Sequence, residues 1–507
     1  MDTIGELLQR GADDAVAIGA PEAVPPLRYR ELRALARKTV ADLNSLGIGR
    51  GNRVVLVLPN GPEAAAAFVS IGAGATTAPL SRGLTPDEFE FNLTDLRAKA
   101  LVVEAGVDSP ARAVATRLRI PIVELVPHRD QGAGAFSLRP LHKNGAGPFE
   151  GGFAQADDVA LVLHTSGSTS RPKIVPLLHR NVTASASNIA KALQLTSEDV
   201  CLNIMPLFHI HGLMAAVLAS LSAGAQVYCS PGFNALRFFH WLDEVRPTWY
   251  TAVPTMHQAI LSRAARHGEE LRRSRLRLIR SSSASLVPQV MSELESTFRC
   301  PVIEAYGMTE AAHQMTSNPL PPRERKSGSV GVPAGPEVAI MDEEGKILPR
   351  GHTGEVVIRG ANVTPGYEAN PEANENAFVD GWFRTGDQGF MDTDGYLRLT
   401  GRLKELINRG GEKIAPIEID VVVMDHPAVQ QCVTFAIPHP KLGEDIAAAV
   451  VLREGATCTE RELREFATRR LEHWKVPRKF LFVREIPKGR TGKLQRIGLA
   501  AKLGLEG

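Results

Sequence analysis

Leu163-His164-Thr165-Ser166-Gly167-Ser168-Thr169-Ser170-Arg171-Pro172-Lys173 decides how the chain is read. The preceding Val159-Ala160-Leu161-Val162 is a short apolar run that reads as a buried strand. Ile174-Val175-Pro176 comes after it, then a helix-like segment with His179, Asn181 and Ile189. The stretch is therefore a loop after a strand, rich in small hydroxyl residues, with a glycine and two cations. Small residues let backbone N–H groups converge on an anion, and hydroxyls and Lys173 add donors. The natural guest is a polyphosphate. The spacing is not the GxxxxGK[ST] of the common nucleotide loop. The plain alternative is a Ser/Thr-rich surface loop.

Outward from this loop, strand and helix signals alternate. In residues 1–150 the segments 53–58, 100–103 and 120–123 read as strands and 62–71 as a helix. Residues 130–155 are a Gly-rich connection. The alternation resumes over 156–310, with strands expected at 159–163, 199–205, 225–229, 249–253, 277–282 and 301–305. Helices are expected at 254–265 and 288–298. This pattern predicts an α/β fold with parallel sheets, whose ligands sit in loops at strand ends. Three polar loops qualify: 164–173, 281–285 and 306–313. From about 325 short alternating strands with Gly turns predict a small β-rich subdomain running to 402. Residues 403–507 read as a separate α+β domain, with helices at 417–424 and 459–471. The expected organisation is a large N-terminal domain, 1–402, of layered α/β subdomains plus the β-rich one, and a mobile C-terminal domain.

Bulk composition narrows the function classes. The chain has 507 residues, 44% hydrophobic and 22% charged, as in soluble globular proteins. A net charge of +2 without a long basic run gives no reason to expect nucleic acid. The five cysteines are scattered and form no CxxC pair, which argues against structural zinc or a disulfide framework. The start lacks a signal-peptide core and the tail is no peroxisomal address. The most apolar stretch, 64–80, is interrupted by Ser70, Gly72, Gly74 and two threonines, so it reads as a buried helix and loop. A cytoplasmic protein with no membrane partner is expected.

Several constellations carry chemistry. Asp387, in Thr385-Gly386-Asp387, can accept from two ribose hydroxyls at once, and Arg402 can brace the same sugar or a phosphate. Tyr306-Gly307-Met308-Thr309-Glu310 offers an aromatic face for a base, a hydroxyl for a phosphate and a carboxylate for Mg²⁺. Lys493 lies in a basic Gly/Thr loop, from which it can reach a site in the larger domain. Gly410-Gly411-Glu412-Lys413 permits close backbone approach. Each also has an ordinary reading, as core, turn or solvated tail. His209 and His211 flank Ile210, and strand geometry would put both on one face. A metal pair lacks a third ligand of clear spacing.

Taken together and in order, these motifs resemble the adenylate-forming enzymes, which include acyl-CoA synthetases, luciferases and peptide-synthetase adenylation domains. The resemblance covers essentially the whole chain. Several stretches look closer still to oxalate–CoA ligases: 164–173, 249–255, 280–286, His313 with 316–321, and 404–413. Ser170 fits that group, whereas Ile174 stands where the family usually has Gly.

The resemblance implies two half-reactions. A carboxylate attacks ATP to give acyl-adenylate and pyrophosphate, then the thiol of coenzyme A displaces AMP. It implies that Thr165, Ser166, Gly167, Ser168, Thr169 and Lys173 hold the departing phosphates. Ser283, Ala284, Ser285, Glu304, Ala305, Tyr306, Gly307, Met308 and Thr309 surround the nucleotide, and Asp387 and Arg402 hold ribose. Glu310 takes Mg²⁺, and Lys493, Glu310 and Thr165 are the catalytic set. Lys404 is the hinge about which the C-terminal domain moves, and Gly410, Gly411, Glu412 and Lys413 face coenzyme A. His209, Ser283 and His313 correspond to the donors for oxalate. Arg280 keeps malonate as an alternative acid. Medium-chain and coumarate-like acids, and a nucleotide-binding protein without catalysis, are the remaining alternatives.

Overall fold

The structure is a computed structural model that describes residues 2–22, 24–141, 147, 149, 151–165, 172–490 and 492–505. Two large sheets form its centre. The first has the strand order Phe136–Pro140, Ile122–Pro127, Ala100–Glu104, Arg53–Val57, Thr76–Pro79, Val159–Thr165, Lys173–Leu178. Its five inner strands are parallel and its two edges antiparallel. The second runs Val332–Pro333, His313–Ser317, Val302–Met308, Leu278–Ser281, Trp249–Ala252, Val200–Asn203, Gln226–Cys229, Val16–Gly19, Leu27–Arg28. The expected α/β class and its parallel cores are present.

The sheets do not divide at the Gly-rich connection. Strands 16–19 and 27–28 belong to the second sheet, and 159–165 with 173–178 complete the first. Thr76 and Thr77 help fix that exchange: their hydroxyls donate to the carbonyls of Val159 and Ala160, at 2.6 and 2.9 Å. Segment 64–80 accordingly holds a helix followed by a strand, not a helix and loop. Helix Pro62–Gly72 buries all its residues. Four successive alanines, 64–67, let it sit close to its neighbours, and Phe68, fully buried in the main core, fills the remaining volume. Phe68→Ala would cost about 3–5 kcal/mol by cavity formation.

Several strand-to-helix joints use proline at the first helical turn: Pro62, Pro86, Pro110, Pro254 and Pro288. A missing N–H is harmless there and the fixed φ starts the helix. These joints hold the loops over the sheets in register with the strands.

The β-rich part is a five-stranded antiparallel sheet of Glu337–Met341, Gly354–Arg359, Phe378–Val379, Trp382–Met391 and Leu397–Arg402. The last part pairs Glu412–Ile414, Ile407–Arg409, Gly443–Leu452, Val429–His439 and Lys479–Phe482, with helices Pro416–Met424 and Glu460–Thr468. Ile407, Ile414, Ile419, Val423 and Leu463 give it a core of its own. Among the described residues no helix is long and apolar enough to cross a membrane.

Candidate active site

A cleft of about 1150 Å³ opens where the two large sheets, the β-rich part and the C-terminal loop meet. At one end stand Thr165 and Lys173, cross-strand partners at the mouth of an antiparallel hairpin. The strands on either side of 166–171 thus pair with each other, and the segment leads into a strand, not directly into a helix as in common nucleotide binders. Ser166, Gly167, Ser168 and Thr169, with Ser170 and Arg171, lie outside the described residues. Ile174 is buried within the second hairpin strand, and its carbonyl accepts from the Glu368 N–H at 3.0 Å.

Tyr367 joins this end to the carboxylate beside it. The Lys173 ammonium lies 4.4 Å from the Tyr367 ring centroid, and the Tyr367 hydroxyl donates to Glu310 Oε1 at 2.8 Å. Burial raises the Glu310 pKa, against the Tyr367 hydrogen bond and the charges of Arg402 and Lys173. Such a carboxyl gains from a cation that restores its charge. Thr309 and Glu310 occupy a short turn at the cleft, and Gly307 and Met308 line it. Gly307 is required: a Cβ there would sit 1.8 Å from the His313 carbonyl oxygen.

Further along, Tyr306 donates its hydroxyl to Asp387 Oδ2, and Arg402 Nε lies 3.1 Å from Asp387 Oδ1. Asp387 and Arg402 are cross-strand neighbours, which brings together residues fifteen apart in sequence. Burial raises the Asp387 pKa, and the adjacent carboxylate raises that of Arg402. Arg402 lines the cleft. Tyr306, Asp387, Glu304 and Ala305 are buried and do not line it, and Ala284 and Ser285 are exposed away from that lining. Glu304 ties two walls together by accepting from the Leu286 N–H at 2.9 Å; burial pushes its pKa up to about 8.

The third end gathers His209, Ser283, His313 and Lys493. His209 and His211 do not share a strand face. His209 is in a bend, and His211 begins a π-helix, His211–Leu218. The continuous apolar run that follows favours a buried helix, and such π segments recur at functional sites. Burial, with the Lys493 charge, pushes the His209 pKa down to about 3. Burial and the Arg280 charge hold His313 well below its usual value. His313 is 1% exposed, and among the described residues neither ring nitrogen has a partner. Ser283 (φ 74°) and His313 (φ 98°) both sit in the left-handed region that favours glycine, so the surroundings hold them in strained backbone.

Lys493 enters the cleft from the C-terminal domain. The Thr255 hydroxyl donates to the Gly492 carbonyl at 2.7 Å, and Arg490 donates to both oxygens of Glu88 at 2.8 and 2.9 Å. Burial and Arg402 push the Lys493 pKa down to about 8, against Asp387 and Glu405. Lys404 also lines the cleft. Gly410, Gly411, Glu412 and Lys413 do not. Gly410 and Gly411 form a two-residue hairpin turn, both at positive φ as that turn demands, and Glu412 and Lys413 begin the strand after it. Lys413 there faces Glu343 at 3.5 Å.

Tyr367, Thr251 and the hydrogen-bonded role of His211 were missed by sequence reasoning. A lone Gly-Tyr pair gives no local signal, and Tyr367 matters only because the fold sets it between Lys173 and Glu310.

Thr165 with Lys173, Arg402 paired to the buried Asp387, and Lys493 from the C-terminal domain thus meet at one cleft. The model of the AMP-binding enzymes matches residues 9–368, and that of the AMP-binding enzyme C-terminal domain matches 418–493. The chain belongs to the AMP-binding, adenylate-forming acyl-CoA synthetases. An oxalate–CoA ligase of Arabidopsis thaliana is 46% identical over 93% of this chain and 92% of its own. One of Saccharomyces cerevisiae is 39% identical over 95% and 94%. ATP-bound MatB from Rhodopseudomonas palustris superposes with a TM-score of 0.86 at 29% identity, covering 97% of each chain. The synthetase is therefore an AMP-forming acid–thiol ligase that uses ATP, with coenzyme A as the family's co-substrate.

Proposed function

We propose that this synthetase is an oxalate–CoA ligase. The observation that carries the reading is His313, buried with neither ring nitrogen partnered among the described residues, at the same end of the cleft as Ser283 and His209. A small dianion needs donors there and no apolar tunnel. A carboxylate beside His209 or His313 would raise their pKa values and supply the missing partner. Arg280, which would favour malonate, does not line the cleft; its guanidinium donates to Thr251 and Gln314 behind it.

In the first half-reaction an oxalate oxygen attacks the α-phosphorus of ATP and pyrophosphate leaves. Thr165 and Lys173 hold the leaving phosphates. Lys493 spans the carboxylate and the α-phosphate, offsetting charge that develops between them. Asp387 and Arg402 hold the ribose. Magnesium fits this donor set: Mg²⁺ binds through one or two carboxylates plus substrate phosphates, Glu310 is such a carboxylate, and among the described residues no group of three or more potential ligands converges. When bound it would supply charge neutralisation at the phosphates. In the second half-reaction the C-terminal domain turns about Lys404, Lys493 withdraws, and the Gly410–Lys413 hairpin comes to face coenzyme A. The thiol then displaces AMP.

The test is CoA-dependent AMP formation with oxalate, malonate, acetate, octanoate and 4-coumarate. Oxalate should give the highest kcat/KM, and better turnover of octanoate or coumarate would sink the assignment.

A further inference from the structure

The acid end of the cleft is backed by a chain of buried polar groups whose hydrogen positions follow from their partners. Arg280 is fully buried, and its Nη1 donates to Thr251 Oγ1 at 3.4 Å. Thr251 Oγ1 lies 2.6 Å from His211 Nε2, and His211 Nδ1 lies 3.0 Å from Ser283 Oγ. Ser283 lines the cleft. A guanidinium only donates. Among the described residues, the Thr251 hydroxyl hydrogen therefore has one acceptor, His211 Nε2. Burial, His313 and Arg280 hold the His211 pKa well below its usual value, so the ring is neutral. A neutral imidazole that accepts at Nε2 carries its proton at Nδ1. That proton goes to Ser283 Oγ, which leaves the serine's own hydrogen for a group in the cleft.

We propose that Arg280, Thr251 and His211 form a relay that fixes the Nδ1–H tautomer of His211 and thereby turns the Ser283 hydroxyl hydrogen toward the substrate's distal carboxylate. The opposite tautomer reverses the polarity. Ser283 would then donate backward to Nδ1 and present lone pairs to the anion. The relay residues are positioning residues; only Ser283 touches substrate. The His313 ring, 4.9 Å away and edge-on to His211, limits how far the imidazole can tilt. This inference rests on the reading of this end as the acid site. It explains why the strand Trp249–Ala252 carries a buried hydroxyl next to a buried guanidinium with no carboxylate among its hydrogen-bond partners.

The test uses the full chain with Thr251→Val and Thr251→Ser. Valine removes the hydroxyl hydrogen, while serine keeps it. Thr251→Val should raise the KM for oxalate about tenfold or more, the scale of a lost hydrogen bond to a charged group. KM for ATP and kcat should barely move, and Thr251→Ser should restore the oxalate KM. Thr251→Val combined with Ser283→Ala should be no worse than Ser283→Ala alone. Equal losses for valine and serine, or additive losses in the double variant, would overturn the relay. ¹⁵N NMR of histidine-labelled wild-type enzyme decides the tautomer without any variant: the His211 proton belongs on Nδ1, and finding it on Nε2 refutes the proposal. An unchanged oxalate KM in Ser283→Ala would instead overturn the acid-site reading, with the NMR signal still deciding the tautomer.

Discussion

Lys493 shows how a single residue takes its chemistry from the fold. Its sequence context, a basic Gly/Thr loop, fits a solvated tail as well as a catalytic finger. The cleft makes the difference, because burial and Arg402 push its pKa down to about 8, from an ordinary value near 10.4. The free enzyme therefore loses the ammonium charge as pH rises through about 8. In the adenylation half-reaction, kcat/KM for ATP should fall on that alkaline limb, read by pyrophosphate release. Bound phosphates favour the cation, so the limb in kcat lies at higher pH. Lys493→Arg, which stays charged, should remove the limb even if it slows the reaction. An unchanged limb would assign it to another group. Tyr367 makes the converse case, a residue with no sequence signal that bridges two groups with strong ones. Tyr367→Phe keeps the ring against Lys173 and loses the hydroxyl on Glu310. It should raise the Mg²⁺ concentration for half-maximal activity several-fold and leave the KM for oxalate alone. Tyr367→Leu should raise the KM for ATP as well. Equal effects of the two variants would show that the hydroxyl is idle.

At the scale of elements, the strands and helices were legible, but their partners were not. Hydrophobic runs located 159–163, 249–253 and 301–305 because burial on both faces leaves continuous apolar stretches. Nothing local revealed that 159–165 would pair with 173–178, or that 16–28 would cross to the other sheet. Those choices depend on which sheet edge is free and on side-chain donors such as Thr76 and Thr77. The helix Pro86–Asp95 carries a second example. Glu88 closes its capping box with Thr85 and also accepts from Arg490, beyond the reach of any sequence pattern. The pair joins the Lys493 loop to the large domain in the orientation proposed above to serve adenylation. An exposed pair is weak, so its loss is worth roughly a twofold to fivefold change. Glu88→Gln and Arg490→Ala should each slow acyl-adenylate formation by that factor and spare thioester formation from supplied acyl-adenylate. The double variant should be no slower than either single one. Equal slowing of both half-reactions would show that the contact stabilises the fold and does not select an orientation.

For the whole molecule, the decisive fact is that Lys493 and the Gly410–Lys413 hairpin do not face the cleft together. One lies inside it, and the other points to Glu343 on the outside. A site that must serve two chemistries in turn can do so by exchanging these two faces of one domain, which also shields the adenylate from water. The sequence singles out both loops, and the family resemblance implies a hinge at Lys404, but neither says which loop occupies the cleft in the free chain. That depends on the summed interface contacts, among them Thr255 with Gly492, Glu88 with Arg490, and Glu293 with Arg453 at 3.6 Å. The last pair is exposed and offers a direct test. In a Cys458→Ser background, the other four cysteines being buried, Glu293→Cys and Arg453→Cys can be bridged by a short, reducible bis-thiol reagent. The bridged enzyme should release about one pyrophosphate per active site in a burst and then stop, holding acyl-adenylate. Acyl-CoA should not form until a reductant opens the bridge, and then at the rate of the unbridged variant. Turnover to acyl-CoA at the full rate with the bridge closed would mean that both half-reactions run in the one orientation seen here, and that the hairpin has no part in the second.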